Sequence, residues 1–444
     1  MFLFPRDRKD VKIKLFGIIC TVILIATGCS FGTSIDNLLA PPKLSFEQEQ
    51  IYNALTDTTG TSINLKYPKS GKYLSAFIIE DIDGDGENES IVFYEKKGLT
   101  LSENTLRINV LDRFDDKWQS VCDTSAEGSD IEKVIISKLG DNDRTNIIIG
   151  SSLINNSDKS ASIYTYRDGI IEKTFSSVYS FMDVTDMDKD DMNEFLILYG
   201  SSSSPAVSAA YKLDSDGKYH EYKTDLNGNF TEFDRLVYGN IGNQRTGLYI
   251  DAVSGSGLIQ TDIIYMDSSG LNKVFSNPED SLRTVRPSGL NTSDIDGDGI
   301  YEIPVQTKFI GYDDVPESEQ IKMTEWYIYN GSALEKKYSG YCSVADGYVF
   351  LFPERWVNHV TVKKDIINEE LVFTEYKENG SKGGELLRIY ISYDSASEND
   401  HISSGYQLIH TKGETSYMAY VSEAVNKNLE LAYGETALCF KFTE

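Results

Sequence analysis

The segment EDIDGDGENESIVFY, residues 80–94, decides the fold, because it places a crowded acidic loop directly before a strand-like run. Six of its first ten residues carry carboxylates, whereas Ser90–Tyr94 is mostly β-branched and aromatic. Carboxylates held a few ångströms apart repel one another by about 1–4 kcal/mol per pair, depending on the local dielectric. The segment therefore predicts a loop that needs a counter-charge, followed by a β-strand.

Two further segments repeat this arrangement, TDMDKDDMNEFLILYG at residues 185–200 and SDIDGDGIYEIPVQ at residues 293–306. In all three, acidic residues occupy loop positions 1, 3, 5 and 9. Ca²⁺ suits such a loop, because it takes six to eight oxygen ligands from carboxylates, backbone carbonyls and waters. Position 7 varies chemically, as expected of a ligand that binds through its carbonyl. The predicted calcium ligands are Asp81, Asp83, Asp85, Glu87 and Glu89; Asp186, Asp188, Asp190, Met192 and Glu194; and Asp294, Asp296, Asp298, Ile300 and Glu302.

An EF-hand loop begins in the same way, but it requires an acidic residue at position 12 and a helix afterwards. Position 12 is Val92, Ile197 and Val305 in the three loops, and apolar runs of strand length follow. The sequence therefore predicts calcium loops that lead into strands. The alternative is that the loops are solvated Asp-Gly turns on an acidic surface.

The loops belong to a longer repeat, since they begin at residues 81, 186 and 294. Two weaker copies lie between them, at Gly140–Asn146 and near Gly239 and Asn240, and both have lost most carboxylates. We do not expect these two to bind calcium. A hairpin pattern such as ASIYTYRDGIIEKTF follows each copy. One repeat thus contains a strand, an acidic loop, a second strand and a hairpin of two more strands. Four antiparallel strands per repeat are typical of a propeller blade.

These segments resemble the FG-GAP/VCBS repeat family, the calcium-loop propellers that include the head of integrin α chains. The motif DxDxDGxx(D/E) is matched at residues 81–89 and 294–302, and Asp191 replaces its glycine in the loop that begins at Asp186. The resemblance covers roughly residues 65–340. It implies a mainly β fold, a β-propeller of about five to seven four-stranded blades with calcium loops, to which a small C-terminal α+β domain is added.

The N-terminus has the pattern of a lipoprotein signal peptide. A basic region is followed by the apolar run Leu15–Thr27, which is shorter than the roughly 20 residues that a spanning helix needs. The stretch 26–29 resembles a bacterial lipobox, which implies that Cys29 is lipidated and anchors the chain to a bilayer outside the cytoplasm. A plain secretory signal or an uncleaved anchor are the alternatives.

Four segments follow from these patterns: a lipoprotein signal peptide at 1–28, a tether and short helix at 29–60, a propeller at 61–341 and an α+β domain at 342–444. Ser45 is placed to cap the short helix. The repeat pattern is lost after Tyr341. An alternative is that the first strands of the last segment close the propeller ring.

The formal net charge is −27, and it becomes −30 without residues 1–28, which hold five basic and two acidic residues. A chain this acidic repels phosphate backbones, so we expect no nucleic-acid partner. Cys122, Cys342 and Cys439 have no CxxC spacing and predict neither a disulfide framework nor a zinc site.

The sequence predicts a binding protein at the bacterial cell envelope rather than an enzyme. It contains four histidines, none of them in an HExxH motif. The expected partners are the bilayer, through the acyl groups on Cys29, and a protein or carbohydrate ligand. The alternative is a secreted polysaccharide hydrolase or lyase that uses carboxylates on the propeller face.

Overall fold

The computed structural model describes residues 44–98, 105–153, 159–254 and 257–442. The predicted signal peptide, Cys29 and most of the tether lie outside these residues. The described chain is mainly β, as predicted, with 28 strands and four α-helices. No helix in the described ranges is long and apolar enough to cross a membrane.

The strands form six antiparallel sheets, which follow one another along the chain. The first contains β1 Ile63–Leu65, β2 Phe77–Glu80, β3 Glu89–Lys96, β4 Leu106–Phe114 and β5 Lys117–Ser125. The second contains β6 Asp130–Lys138, β7 Thr145–Ser152, β8 Lys159–Arg167 and β9 Ile170–Tyr179. The third contains β10 Phe181–Thr185, β11 Glu194–Tyr199, β12 Val207–Leu213 and β13 Tyr219–Asp225.

The later sheets carry additional edge strands. The fourth contains β14 Phe230–Asn240, β15 Thr246–Ser254, β16 Leu258–Asp267, β17 Gly270–Lys273 and β18 Arg286–Pro287. The fifth contains β19 Ile303–Lys308, β20 Lys322–Tyr329, β21 Leu334–Ser343, β22 Tyr348–Leu351 and β28 Phe440–Phe442. The sixth contains β23 Val360–Asp365, β24 Glu370–Tyr376, β25 Lys382–Ser392, β26 Gln407–Lys412 and β27 Thr415–Val421.

Each sheet packs face to face against the next through alternating side chains of its inner strands. In β11, Phe195 and Ile197 join a core with the second sheet, whereas Leu196 and Leu198 join a core with the fourth. Successive side chains of a strand point to opposite faces, so a strand between two sheets must be apolar on both. This explains why the run Phe195–Leu198 after the acidic loop of the third sheet is uninterrupted rather than alternating.

Four helices accompany the sheets: α1 Phe46–Thr59, α2 Pro278–Leu282, α3 Ser395–Ser403 and α4 Tyr433–Cys439. The predicted capping role of Ser45 is confirmed. Its hydroxyl accepts from the backbone N–H of Gln48, and the Gln48 side chain accepts from the backbone N–H of Ser45. Ile51 and Leu55 of α1 are fully buried against the outer face of the first sheet.

The predicted domain boundary between residues 341 and 342 falls inside β21. β22 and β28 then complete the fifth sheet, since β22 pairs with β21 on one side and with β28 on the other. An aromatic core around Trp356, Phe350 and Phe373 joins this sheet to the sixth. The sixth sheet therefore continues the stacked series from within the segment predicted as an α+β domain.

Candidate metal centres in the acidic hairpins

The three acidic loops occupy the same place in three different sheets. Each leads directly into a strand of its sheet: residues 81–88 join β2 to β3, residues 186–193 join β10 to β11, and the bridge pair Ser293 and Glu302 closes the loop before β19. A strand follows every loop, which excludes the EF-hand arrangement as predicted. The sequence repeat therefore corresponds to a structural one, in the first, third and fifth sheets. Each loop is named after its sheet: the first loop begins at Asp81, the third loop at Asp186 and the fifth loop at Asp294.

The same hydrogen bonds shape all three loops. The carboxylate at position 1 accepts from the backbone N–H of position 6, at 3.1 Å for Asp81, 2.9 Å for Asp186 and 2.8 Å for Asp294. The carboxylate at position 5 accepts from the N–H of position 7. These bonds turn the loop so that its side-chain oxygens face inward. The carbonyl ligands at Glu87, Met192 and Ile300 stay a prediction.

The turn also needs a left-handed backbone at position 6. The φ angles there are +93° at Gly86, +67° at Asp191 and +82° at Gly299. Glycine adopts this conformation freely, and aspartate is one of the few other residues that tolerate it. The replacement of glycine by Asp191 therefore leaves the loop geometry intact.

The carboxylate at position 9 is the buried end of each loop. Glu89, Glu194 and Glu302 are 0–1% exposed, and each accepts from the backbone N–H of position 2 through Oε2, at 2.8–2.9 Å. Burial raises the pKa of Glu89 and of Glu194 to about 7, and it raises the pKa of Glu302 as well. An ionised carboxylate in this position needs a cation beside it.

The structure brings most of the predicted ligands together. Carboxylate oxygens lie within 4.8 Å of one another in three groups: Asp81, Asp83 and Asp85; Asp186, Asp188 and Glu194; and Asp294, Asp296 and Glu302. Neither degenerate loop contributes such a group among the described residues. Gly140, in the degenerate loop of the second sheet, instead packs against the third sheet. A Cβ at residue 140 would lie 2.0 Å from the carbonyl oxygen of Leu213, so a larger side chain does not fit there.

Two of the three acidic groups already contain a cation, the ammonium of a lysine. Lys337 Nζ lies 2.7 Å from Asp296, 2.6 Å from Asp298 and 2.9 Å from Glu302. These contacts, with a hydrogen bond from Tyr338, lower the pKa of Asp296 to about 2 although burial acts to raise it. The lysine supplies the positive charge that the fifth loop requires.

Lys212 holds the corresponding place in the third loop. Its Nζ lies 3.2 Å from Glu194 and 3.4 Å from Asp188, and it also contacts Asp190. Sequence reasoning missed both lysines, because they come from strands that follow the loops at different distances along the chain. Their positions beside the loops are set only by strand pairing.

The first loop has no such cation in the described part of the chain. The pairing of Phe195 with Tyr211 places Lys212 next in register opposite Glu194, whereas the pairing of Ser90 with Leu111 places Asp112 opposite Glu89. The first loop therefore has a fifth carboxylate where the third has an ammonium. Glu89 Oε1 is buried without any hydrogen-bond partner.

The sixth sheet has a fourth acidic hairpin, which the sequence analysis did not find. Glu370, the first residue of β24, is buried like the position-9 glutamates. Arg388 lies 2.6 Å from Glu370, 3.3 Å from Asp365 and 2.6 Å from Glu385. The DxDxD spacing is absent there, so no pattern in the sequence could have indicated the cluster.

No family model and no curated protein matches the chain. Among solved structures, it is similar to the Bacillus licheniformis rhamnogalacturonan lyase PL11, at 13% identity and a TM-score of 0.27 over 72% of this chain and 62% of that one. The Pseudomonas aeruginosa periplasmic gluconolactonase PpgL follows, at 11% identity and a TM-score of 0.26 over 74% and 93% of the two chains. The chain is also similar to an exo-β-1,3-galactanase of Phanerochaete chrysosporium, at 12% identity and a TM-score of 0.23 over 75% of this chain and 82% of that one. The chain spans 62% of the length of the first lyases it matches.

Proposed function

We propose that this protein is a calcium-stabilised β-propeller that displays a binding surface for a protein or carbohydrate ligand at the bacterial cell envelope. The observation that carries the proposal is the recurrence of one loop geometry in three sheets, each with a buried position-9 glutamate. Six sheets of consecutive antiparallel strands, stacked in chain order, support a propeller of six blades.

The first loop fits calcium best. Asp81, Asp83 and Asp85 present oxygens within 4.8 Å of one another, and Glu89 Oε1 is a buried acceptor that lacks a donor. Ca²⁺ accepts carboxylate and carbonyl oxygens at 2.3–2.6 Å in flexible geometries, so it suits a loop whose ligands come from a short stretch of chain. Calcium would neutralise the repulsion among these groups and fix the start of β3.

The third and fifth loops are stabilised by their lysines in this proposal. An ammonium carries one positive charge, so it offsets less of the loop charge than a divalent ion does, but it is covalently attached and always present. Calcium could enter these loops only by displacing Lys212 or Lys337. We therefore expect the calcium response of the protein to come mainly from the first sheet.

Binding, rather than catalysis, is proposed because the titratable side chains of the usual catalytic types are held in local contacts. His220 Nε2 lies 2.7 Å from Asp214, and the His401 ring stacks on Tyr390 at 3.6 Å. The crowded carboxylates of the loops would be occupied by calcium or by lysine.

The chain is proposed to be attached to a bacterial membrane, outside the cytoplasm, through lipid on Cys29. Cys29 follows a basic and apolar leader, and α1 would separate the sheets from the bilayer. Metabolic labelling with a palmitate analogue tests this: label should enter the parent and not Cys29→Ser, and the variant should leave the membrane fraction. Equal labelling of both proteins would refute lipidation at this residue.

Thermal unfolding with Ca²⁺ and with chelator tests the metal proposal. The parent is compared with a triple variant, Asp83→Ala, Asp188→Ala and Asp296→Ala. Calcium should raise the melting temperature of the parent and not of the variant, because metal bound only to the folded state adds stability. If neither protein responds, the loops are acidic turns and the calcium proposal fails.

A further inference from the structure

A cavity of about 610 Å³ lies where the fourth sheet meets the fifth. Arg235 of β14 lines one side, and residues within 289–295, which include the first two positions of the fifth loop, line another. Val349 of β22 and Lys441 of β28 complete it. Its volume is within the range of pockets that hold small organic ligands, about 300–1,000 Å³.

Arg235 is the unusual group in this cavity. Its Nε is buried and has no acceptor, and its guanidinium makes no ion pair or side-chain hydrogen bond within the described ranges. The other buried side-chain nitrogen and oxygen atoms without partners there belong to neutral or acidic residues. Buried polar groups are nearly always paired in folded proteins, so the unpaired guanidinium nitrogen at this cavity wall is a donor available to an anionic ligand.

Two more polar groups extend the pattern. The Asn291 side-chain oxygen is buried without a donor, and Lys441 has no carboxylate within ion-pair distance among the described residues. The cavity thus offers unpaired donors with positive charge and one unpaired acceptor. Its remaining walls include the apolar side chains of Ile295, Val344 and Phe442.

The one carboxylate that lines the cavity is already engaged. Asp294 accepts from the backbone N–H groups of Gly297, Asp298 and Gly299, at 2.7, 3.1 and 2.8 Å. Burial raises the pKa of the Cys342 thiol to about 11, so it is uncharged at neutral pH. The lining thus carries two cationic side chains, Arg235 and Lys441, against one carboxylate, in a chain whose net charge is −27.

We infer that this cavity binds a small hydroxylated carboxylate, such as a sugar acid. Its carboxylate pairs with the Arg235 guanidinium, a hydroxyl donates to the Asn291 oxygen, and its carbon frame lies on the apolar wall. A guanidinium suits this ligand because its fixed fork matches the two carboxylate oxygens. The inference rests on the proposed binding function and names the class of ligand for it.

Titration calorimetry of the full chain carrying Cys29→Ser tests the inference. Glucuronate is the probe, glucose is the neutral control, and a uronate trisaccharide distinguishes a free sugar acid from the end of an acidic polysaccharide. Glucuronate or the trisaccharide should bind and glucose should not. Arg235→Gln should weaken the binding at least tenfold, whereas Arg167→Gln, which removes the same charge from the exposed end of β8 in the second sheet, should leave it unchanged.

Absence of binding by both acidic probes, or binding that survives Arg235→Gln, would overturn the inference. Lys441→Gln provides a second variant that leaves the β14 core intact, and it should weaken glucuronate binding severalfold. The calcium response is expected from the first sheet, whereas the cavity is lined by residues of the fourth and fifth sheets and the segment between them. A protein that ignores calcium but binds glucuronate would therefore contradict the metal proposal alone.

Discussion

The first and the fifth acidic loops share a backbone but differ in how their charge is balanced. Both place four acidic side chains at positions 1, 3, 5 and 9, and both use the same turn hydrogen bonds. The fifth contains the ammonium of Lys337, whereas the first faces Asp112 and has no cation in the described residues. The comparison shows that the loop motif specifies a shape, and that neighbouring strands decide which cation completes it.

The substitution Lys337→Gln is expected to have the largest effect, because it removes the cation that distinguishes the fifth loop from the first. It leaves the buried Glu302 beside Asp296 and Asp298 without a positive charge, so we expect a loss of about 2–4 kcal/mol in the free energy of unfolding without calcium. The variant should also gain a calcium response. Lys336→Gln is the matched control, because Lys336 is exposed and pairs with Glu325 only, and it should change stability by less than about 1 kcal/mol.

Calcium addition to single-site variants tests whether the calcium-dependent stabilisation comes from the first loop. At a hundredfold excess over the dissociation constant, binding should stabilise the parent by about 2.7 kcal/mol. Asp83→Asn should remove most of this gain, whereas Asp188→Asn should retain it, since Lys212 already balances the third loop. Equal losses in the two variants, measured by chemical unfolding with and without calcium, would contradict the difference between the loops.

The substitution Asp112→Lys should convert the first loop to the type of the third. It places an ammonium opposite Glu89, in the register position that Lys212 holds opposite Glu194. The chain without calcium should gain about 1–2 kcal/mol in the free energy of unfolding, because a charge-assisted contact replaces a repulsion. The calcium-dependent rise in melting temperature should shrink or vanish. Asp112→Asn, as the control, should keep the rise.

The smallest effect is expected at a degenerate loop. Asp141 is exposed, and its loop forms no carboxylate group that could hold a metal in the described ranges. Asp141→Asn should change the free energy of unfolding by less than about 0.5 kcal/mol, with and without calcium. A calcium response that depends on Asp141 would show that the weak copies bind metal as well.

Much of the fold could be read from the sequence, because its signals are local. The DxDxD spacing fixes a turn through hydrogen bonds within nine residues, and the run after it fixes a strand, as Phe195–Tyr199 shows. The capping box at Ser45 and Gln48 is equally local, and it is confirmed. The end of the segment predicted as a propeller was harder to place, since β28 joins the fifth sheet from the far end of the chain.

By itself, the sequence determined the acidic loops, the strands that follow them, the hairpins and the strongly negative charge. Strand pairing and packing placed Lys212 in the third loop, Lys337 in the fifth and Asp112 beside the first, and they left Arg235 without a partner at a cavity wall. The physical reason is distance along the chain. A turn is fixed by bonds among neighbours, whereas a counter-charge arrives from whichever strand the sheet register brings alongside.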